Sequence, residues 1–186
     1  FNTPQLLMLS GIGEADHLRE VGIEPRVNLP RVGKNLQDHL SIDVNHARRD
    51  RGPFHAEMRL DRAALNMARA YVFGTGPATA LPNRLQAFLK TRRDLAVPDI
   101  QFLFRGAPWH AHPWFPGVRQ PYEDSFGVRP VMLHPESRGF VRLRSADAAA
   151  PVRIVQNFLA TEHDIRKMRE AVKLVRDVAR RKGLDR

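Results

Sequence analysis

The 186-residue chain is 42% hydrophobic and 27% charged, which indicates a folded globular protein and excludes a disordered one. It has no cysteine, so disulfides, zinc–thiolate sites and cysteine nucleophiles are excluded. Thirty Lys and Arg against 20 Asp and Glu give a net charge of +10, but the basic residues are scattered, and charge alone identifies no partner.

The first half of the chain predicts helices that end at glycines. Residues 4–10 and 14–21 predict two short helices, the second ended by Gly22, because glycine readily adopts the left-handed conformation found after a helix. In the segment Leu60–Phe73 apolar residues recur at helical spacing, and Gly74 ends the run.

The second half changes to strands. Residues 100–105, 140–144 and 152–155 predict short strands, the first two by alternation of apolar and polar side chains. Residues 126–133 predict another strand, in which Pro130 indicates a sheet edge or a bulge. Grouped strands flanked by helices, without strand–helix alternation, predict an α+β fold with a mostly antiparallel sheet.

The last predicted helix has the clearest signals. Thr161 is a favourable N-cap, and Asp164 three residues later suggests a capping box. One apolar stripe follows along the helix, formed by Ile165, Met168, Val172, Val175 and Val178 or Ala179. Before it, residues 108–122 are rich in Pro, Trp, His and Phe and predict a long irregular loop.

No complete active site is evident from individual residues. His110 and His112 form the closest histidine pair, but no third ligand lies at a metal-binding spacing, so no metal site is predicted. Asp38 and His39 are adjacent, and neighbouring side chains usually point apart, which argues against an acid–base pair.

Three segments together carry a family resemblance. Residues 2–13 read NTPQLLMLSGIG and resemble the second signature of the glucose-methanol-choline oxidoreductases. Residues 29–39 read LPRVGKNLQDH and resemble a second run of that family, with Arg31 in place of a glycine. Residues 137–147, SRGFVRLRSAD, are similar to the start of its C-terminal region.

The resemblance implies a flavoenzyme of which this chain is an internal segment. Residues 1–42 would belong to the FAD-binding domain and its connection, and residues 43–186 to a substrate domain built on an antiparallel sheet. The implied reaction is oxidation of a primary alcohol to the aldehyde, with hydride transfer to FAD. The family's nucleotide motif and catalytic histidine would lie outside this segment, so no catalytic residue is expected here and the segment alone is expected to be inactive.

The resemblance also implies positions for two kinds of contact. Asn35, Gln37, Asp38 and His39 are expected to contact FAD, and Gln86, Phe88, Phe102 and Phe104 to contact the substrate. Trp109 and Trp114 could line the same pocket, and for each aromatic residue a place in the core is the competing interpretation. Gln86 stands where choline-oxidising members carry a glutamate, so a neutral aliphatic or aromatic alcohol is at least as good a candidate as choline.

Two other classes remain open: a basic nucleic-acid-binding module and a non-enzymatic interaction domain. The partners predicted are an alcohol substrate and the rest of the same polypeptide, without nucleic acid. No apolar run reaches the roughly 18–20 residues of a transmembrane helix. The expected location is the cytoplasm, with membrane association as the alternative.

Overall fold

The structure is a computed structural model, and it describes residues 1–80 and 85–181. Contacts divide the chain into two compact units. The first contains residues 1–40 and 134–166, and the second contains residues 41–133 and the described residues from 167 onward. The division of the sequence at residue 42 into FAD-binding and substrate domains stays a prediction.

The first unit combines short helices with two small sheets. Its elements up to residue 40 are α1 (Asn2–Leu9), β1 (Ile12–Gly13), α2 (Ala15–Glu20), β2 (Val27–Asn28) and β3 (Lys34–Leu36). Strands β1 and β2 pair in parallel. After residue 133 come β9 (Gly139–Arg142), β10 (Arg153–Val155) and the start of α5 (Glu162–Ala179). The sheet ordered β10-β9-β3 is antiparallel.

Apolar side chains from α1, from α2 and from the residue after β9 form the core of the first unit. Met8, Leu18 and Leu143 are buried together, with partly buried residues packed around them: Leu9, Val21, Ile23, Val32 and Val152. Val141 in β9 is also buried, so the alternation seen in residues 140–144 predicts the correct inward face.

The second unit is built on an antiparallel sheet. Its strands are β4 (Leu40–Ser41), β5 (Val44–Ala47), β6 (Gln86–Leu89), β7 (Ile100–Arg105) and β8 (Ser125–Met132). They are ordered β4-β8-β7-β6, and β5 also pairs with β8. Two helices, α3 (Pro53–Glu57) and α4 (Leu60–Phe73), lie between β5 and β6. The expected α+β fold with antiparallel sheets flanked by helices is confirmed.

The inward face of this sheet follows from period-two alternation. Ile100 and Phe102 in β7 are buried, as are Val128, Pro130 and Met132 in β8. Because successive side chains point to opposite faces of a strand, the residues between them face the other way.

The sheet edge expected at Pro130 is wrong. Strand β8 is an interior strand, and its register with β7 runs without a shift from Gly127 to Met132. On the other side Pro130 lies opposite the break between β4 and β5, where its carbonyl accepts the backbone N–H of Ile42. A residue at this break donates no ladder hydrogen bond, so the missing N–H of proline is tolerated.

Helix α4 has the bounds expected from its spacing. Gly74 follows it with φ 65°, the left-handed conformation. None of its residues is buried, however, and its large apolar side chains Leu65, Met67, Tyr71, Val72 and Phe73 are exposed.

In helix α5, Thr161 caps the N-terminus, since its Oγ1 accepts the backbone N–H of Asp164. The Asp164 side chain is fully buried and accepts the backbone N–H groups of Glu136 and Ser137, at 2.9 and 2.8 Å. Further along, Met168, Ala171 and Val175 are the buried residues, so the stripe is rotated slightly from the expected one. Among the described residues no helix has the length and apolar character needed to cross a bilayer.

Candidate functional site

A cleft of about 220 Å³ opens on the second unit, at the face of the sheet opposite the buried side chains. Cross-strand pairing brings Gln86 beside Leu103 and Leu103 beside Arg129, while Arg105 pairs with Gly127. The residues that line the cleft are Asp43, Gln86, Leu103, Phe104, Arg105, Trp109, Gly127 and Arg129.

Asp43 is the one carboxylate in this lining, and it is held by Arg129. The Arg129 Nε and a terminal nitrogen donate to the two Asp43 oxygens at 3.0 and 2.8 Å, the bidentate arrangement that suits guanidinium and carboxylate. The pKa of the Asp43 carboxyl lies below its ordinary value, mainly because of this hydrogen bonding, and the pKa of Arg129 is raised by the same contact.

Arg105 is the more buried of the two arginines, with 10% of its side chain exposed. Its nearest approach to Asp43 is 3.7 Å, and a terminal nitrogen donates to the Asn45 Oδ1. Its Nε is buried and has no hydrogen-bond partner among the described residues. Burial lowers the pKa of the Arg105 guanidinium, and the charge of Asp43 opposes that shift.

Trp109 and Gly127 shape the surroundings of the arginines. The guanidinium carbon of Arg105 lies 4.2 Å from the centre of the Trp109 ring, and that of Arg129 lies 5.3 Å from it, so both make cation–π contacts. A Cβ at position 127 would lie 2.8 Å from both the Arg105 terminal nitrogen and the Asn45 Oδ1. A larger residue at position 127 would displace one of these two side-chain ends from its present place.

The structure brings some of the expected substrate residues together. Gln86 and Phe104 both line the cleft, and Gln86 accepts a hydrogen bond from Gln101 at 2.9 Å. Phe102 is 1% exposed and lies in the core, and Phe88 is exposed outside the lining. Of the two tryptophans, Trp109 lines the cleft.

Trp114 lies elsewhere in the second unit. Its Nε1–H donates to the carbonyl of the buried His55 at 3.0 Å, and the two rings are 5.2 Å apart. The structure therefore separates the two tryptophans that the sequence analysis grouped together.

The charged residues of the cleft were missed by the sequence analysis. Asp43 and Arg129 are 86 residues apart in sequence, and no local pattern relates them. The one available signal was the alternation in residues 100–105, because it places Arg105 on the face opposite the buried Phe102.

The residues expected to contact FAD lie in the first unit and are all exposed. Asn35 has φ 64°, and the Asp38 carboxylate accepts the His39 backbone N–H at 2.8 Å and the Gln156 side-chain amide at 3.3 Å. Exposed amide, imidazole and carboxylate groups offer both donors and acceptors. That these four residues contact FAD stays a prediction.

The histidine pair makes contacts within its own loop. The two ring nitrogens of His112 face the carbonyls of His110 and Gln120, at 2.9 and 3.2 Å. Over residues 1–80 and 85–181 no group of three His, Asp or Glu side chains is placed to hold a metal ion.

Two family models match the chain, both described as GMC oxidoreductase. The N-terminal one matches residues 1–41 and the C-terminal one residues 135–186. Curated relatives named oxygen-dependent choline dehydrogenase include those of Staphylococcus saprophyticus, 34% identical over 99% of this chain, and Staphylococcus xylosus, 33% identical over 99%. The chain spans about a third of the length of these relatives, 32% in each case.

Solved structures of two oxidases are similar to this chain over nearly its whole length. A formate oxidase from Aspergillus oryzae RIB40 is similar with a TM-score of 0.79 and 25% identity, over 99% of this chain and 36% of that one. Pyridoxine 4-oxidase from Mesorbium loti has a TM-score of 0.74 and 24% identity, over 99% and 32%. The second likeness concerns the fold alone.

Proposed function

Because the chain belongs to the GMC oxidoreductase family, we propose that it is part of an FAD-dependent enzyme that oxidises a primary alcohol to the aldehyde. The observation that carries the proposal is the match of two family models in order, at residues 1–41 and 135–186. The cleft on the second unit, between them in sequence, is the proposed place of the substrate.

FAD would be held in part by the exposed polar side chains of Asn35, Gln37, Asp38 and His39 in the first unit. When bound, it supplies the acceptor for the hydride that leaves the alcohol carbon. Residues 1–42 would then serve the cofactor and residues 43–186 the substrate.

The alcohol has no cationic head group in this proposal, although relatives are named choline dehydrogenases. Gln86 is neutral, and the carboxylate of Asp43 is already engaged by Arg129. A trimethylammonium group would therefore lose its hydration without gaining a free negative partner, which aromatic contacts of about 0.5–2 kcal/mol do not offset. A neutral alkyl group gains about 0.8 kcal/mol for each methylene buried.

The test uses the complete polypeptide that contains this chain. Purified protein should show flavin absorbance, and the flavin should be reduced on anaerobic addition of a primary alcohol. A colourless protein that acquires no flavin absorbance with added FAD, or a flavin left oxidised by every alcohol tried, would contradict the proposal.

The cofactor assignment has its own variant. Asp38→Ala should lower FAD occupancy and melting temperature while the relative kcat/KM for different alcohols stays the same. Asp16→Ala is the matched control, because Asp16 lies in the same unit with 91% of its side chain exposed. Full flavin occupancy in Asp38→Ala would remove this residue from the cofactor site.

A further inference from the structure

The charges that face the cleft do not balance. The lining contains two guanidinium groups, of Arg105 and Arg129, and one carboxylate, of Asp43. The two oxygens of Asp43 accept from Arg129 in a bidentate pair, so this carboxylate satisfies mainly one of the two cations. The cleft retains the equivalent of one positive charge.

Arg105 is the cation left incompletely paired. About nine-tenths of its side chain is buried, Asp43 approaches it only to 3.7 Å, and its Nε has no partner within the described part of the chain. Burying a cation without full compensation of its charge is costly, and an anion bound in the cleft would offset that charge. The guanidinium is a planar set of donors that matches a carboxylate.

We infer that Arg105, with Arg129 beside it, binds the carboxylate of a small hydroxy acid whose hydroxyl is the group oxidised. This inference rests on the proposed alcohol oxidation and specifies its substrate class. The cleft volume of about 220 Å³ leaves room for a short-chain acid. The stacked Trp109 holds the guanidinium of Arg105 in place.

The reaction balances without any change in the carboxylate. The hydroxyl O–H bond and one carbinol C–H bond break, and the C–O single bond becomes double. FAD, when bound as in the proposed function, would supply the acceptor for the hydride, and the hydroxyl proton would be released to solvent. The carboxylate serves only to bind and orient the acid.

The test compares three alcohols with equal numbers of non-hydrogen atoms and different head-group charge: the anionic 4-hydroxybutyrate, the neutral 3,3-dimethylbutan-1-ol and the cationic choline. The complete flavoenzyme should oxidise 4-hydroxybutyrate with the highest kcat/KM and choline with the lowest. In Arg105→Gln the kcat/KM ratio of 4-hydroxybutyrate to 3,3-dimethylbutan-1-ol should fall about tenfold or more, since a charge-assisted hydrogen bond is lost.

Arg92→Gln is the matched control, because it removes the same charge from a residue of the same unit whose side chain is 61% exposed and lies outside the cleft lining. That ratio should be unchanged in the control. Should Arg105→Gln fail to fold, Arg129→Gln, at a residue 33% exposed, is measured in the same way.

Binding of butyrate, which has no hydroxyl to oxidise, gives a readout independent of turnover. Calorimetric titration should show a Kd at least about tenfold weaker in Arg105→Gln than in the wild type. Butyrate binding that depends on Arg105 in a protein that oxidises no alcohol would defeat the proposed function and leave the anion site standing. Any of three results would overturn the inference. These are a higher kcat/KM for choline than for the neutral alcohol, an unchanged kcat/KM ratio of 4-hydroxybutyrate to 3,3-dimethylbutan-1-ol in Arg105→Gln, and no binding of butyrate.

Discussion

Gly33 provides the sharpest test of the packing in the first unit. Its φ is +77°, and a Cβ built on it would lie 2.2 Å from the carbonyl oxygen of Val141 in β9. Val141 in turn donates its N–H to the Gly33 carbonyl at 2.6 Å. Glycine is thus required here both by the backbone conformation and by the close approach of two backbone segments.

The cost of Gly33→Ala has two parts. Alanine in the left-handed conformation costs about 1–2 kcal/mol. In addition, the Val141 carbonyl would have to move by at least about 0.8 Å to reach the 3.0 Å below which real Cβ contacts are essentially never seen. Moving the Val141 backbone in this way also weakens the hydrogen bond that its N–H donates to the Gly33 carbonyl and disturbs the pairing of β3 with β9, at about 1–3 kcal/mol. We expect a total loss of about 2–5 kcal/mol in the free energy of unfolding.

Gly22→Ala is the matched control because Gly22 has φ +80° and no atom within 4 Å of a built Cβ. Gly22→Ala should lower the free energy of unfolding by only about 1 kcal/mol. The cost of the left-handed conformation is partly offset because alanine lowers the conformational entropy of the unfolded chain. Urea unfolding followed by far-ultraviolet circular dichroism would compare the midpoints, with the slopes checked for two-state behaviour. Equal losses in the two variants would show that the approach of Val141 does not constrain position 33.

Three other variants test different parts of the chain. Asp164→Asn should lower the free energy of unfolding by about 2–4 kcal/mol, because the buried carboxylate accepts two backbone N–H groups. In the same urea experiment the control Asp177→Asn, at an exposed position of the same helix, should change that free energy by less than about 0.5 kcal/mol. Tyr122→Phe should keep or raise stability by about 1 kcal/mol at neutral pH, because the hydroxyl it removes is buried without a hydrogen-bond partner among the described residues. Burial, and then the charge of Asp124, raises the pKa of Tyr122 from 10.0 to about 12, so the wild type should lose stability as the pH rises from 10.0 through about 12, because the unfolded chain ionises first. Unfolding midpoints measured over this pH range should show that loss in the wild type and not in Tyr122→Phe. Gln86→Glu should shift the kcat/KM ratio of choline to 3,3-dimethylbutan-1-ol toward choline by about threefold to tenfold, and an unchanged ratio would place Gln86 outside the substrate contact.

Local pattern alone was sufficient for several elements. Helix α4 has the bounds Leu60–Phe73 expected from its spacing and from Gly74, and β7 follows the alternation of residues 100–105. The segments at residues 2–13 and 29–39 were also sufficient to indicate the family. These features depend on backbone geometry and short-range periodicity, which neighbouring residues determine between them.

Tertiary structure decided where those elements pack and which side chains meet. Spacing could not show that the apolar side chains of α4 stay exposed. Nor could it show that Pro130 lies on an interior strand, opposite the break between β4 and β5. Asp43 and Arg129 meet across 86 residues because β5 pairs with β8 in the register that sets Val44 opposite Val128, and the pairing of β7 with β8 brings Arg105 to the same place. A shift of one residue would turn every side chain of a strand to the opposite face, so the charged cleft is a property of strand pairing and cannot be determined from either segment alone.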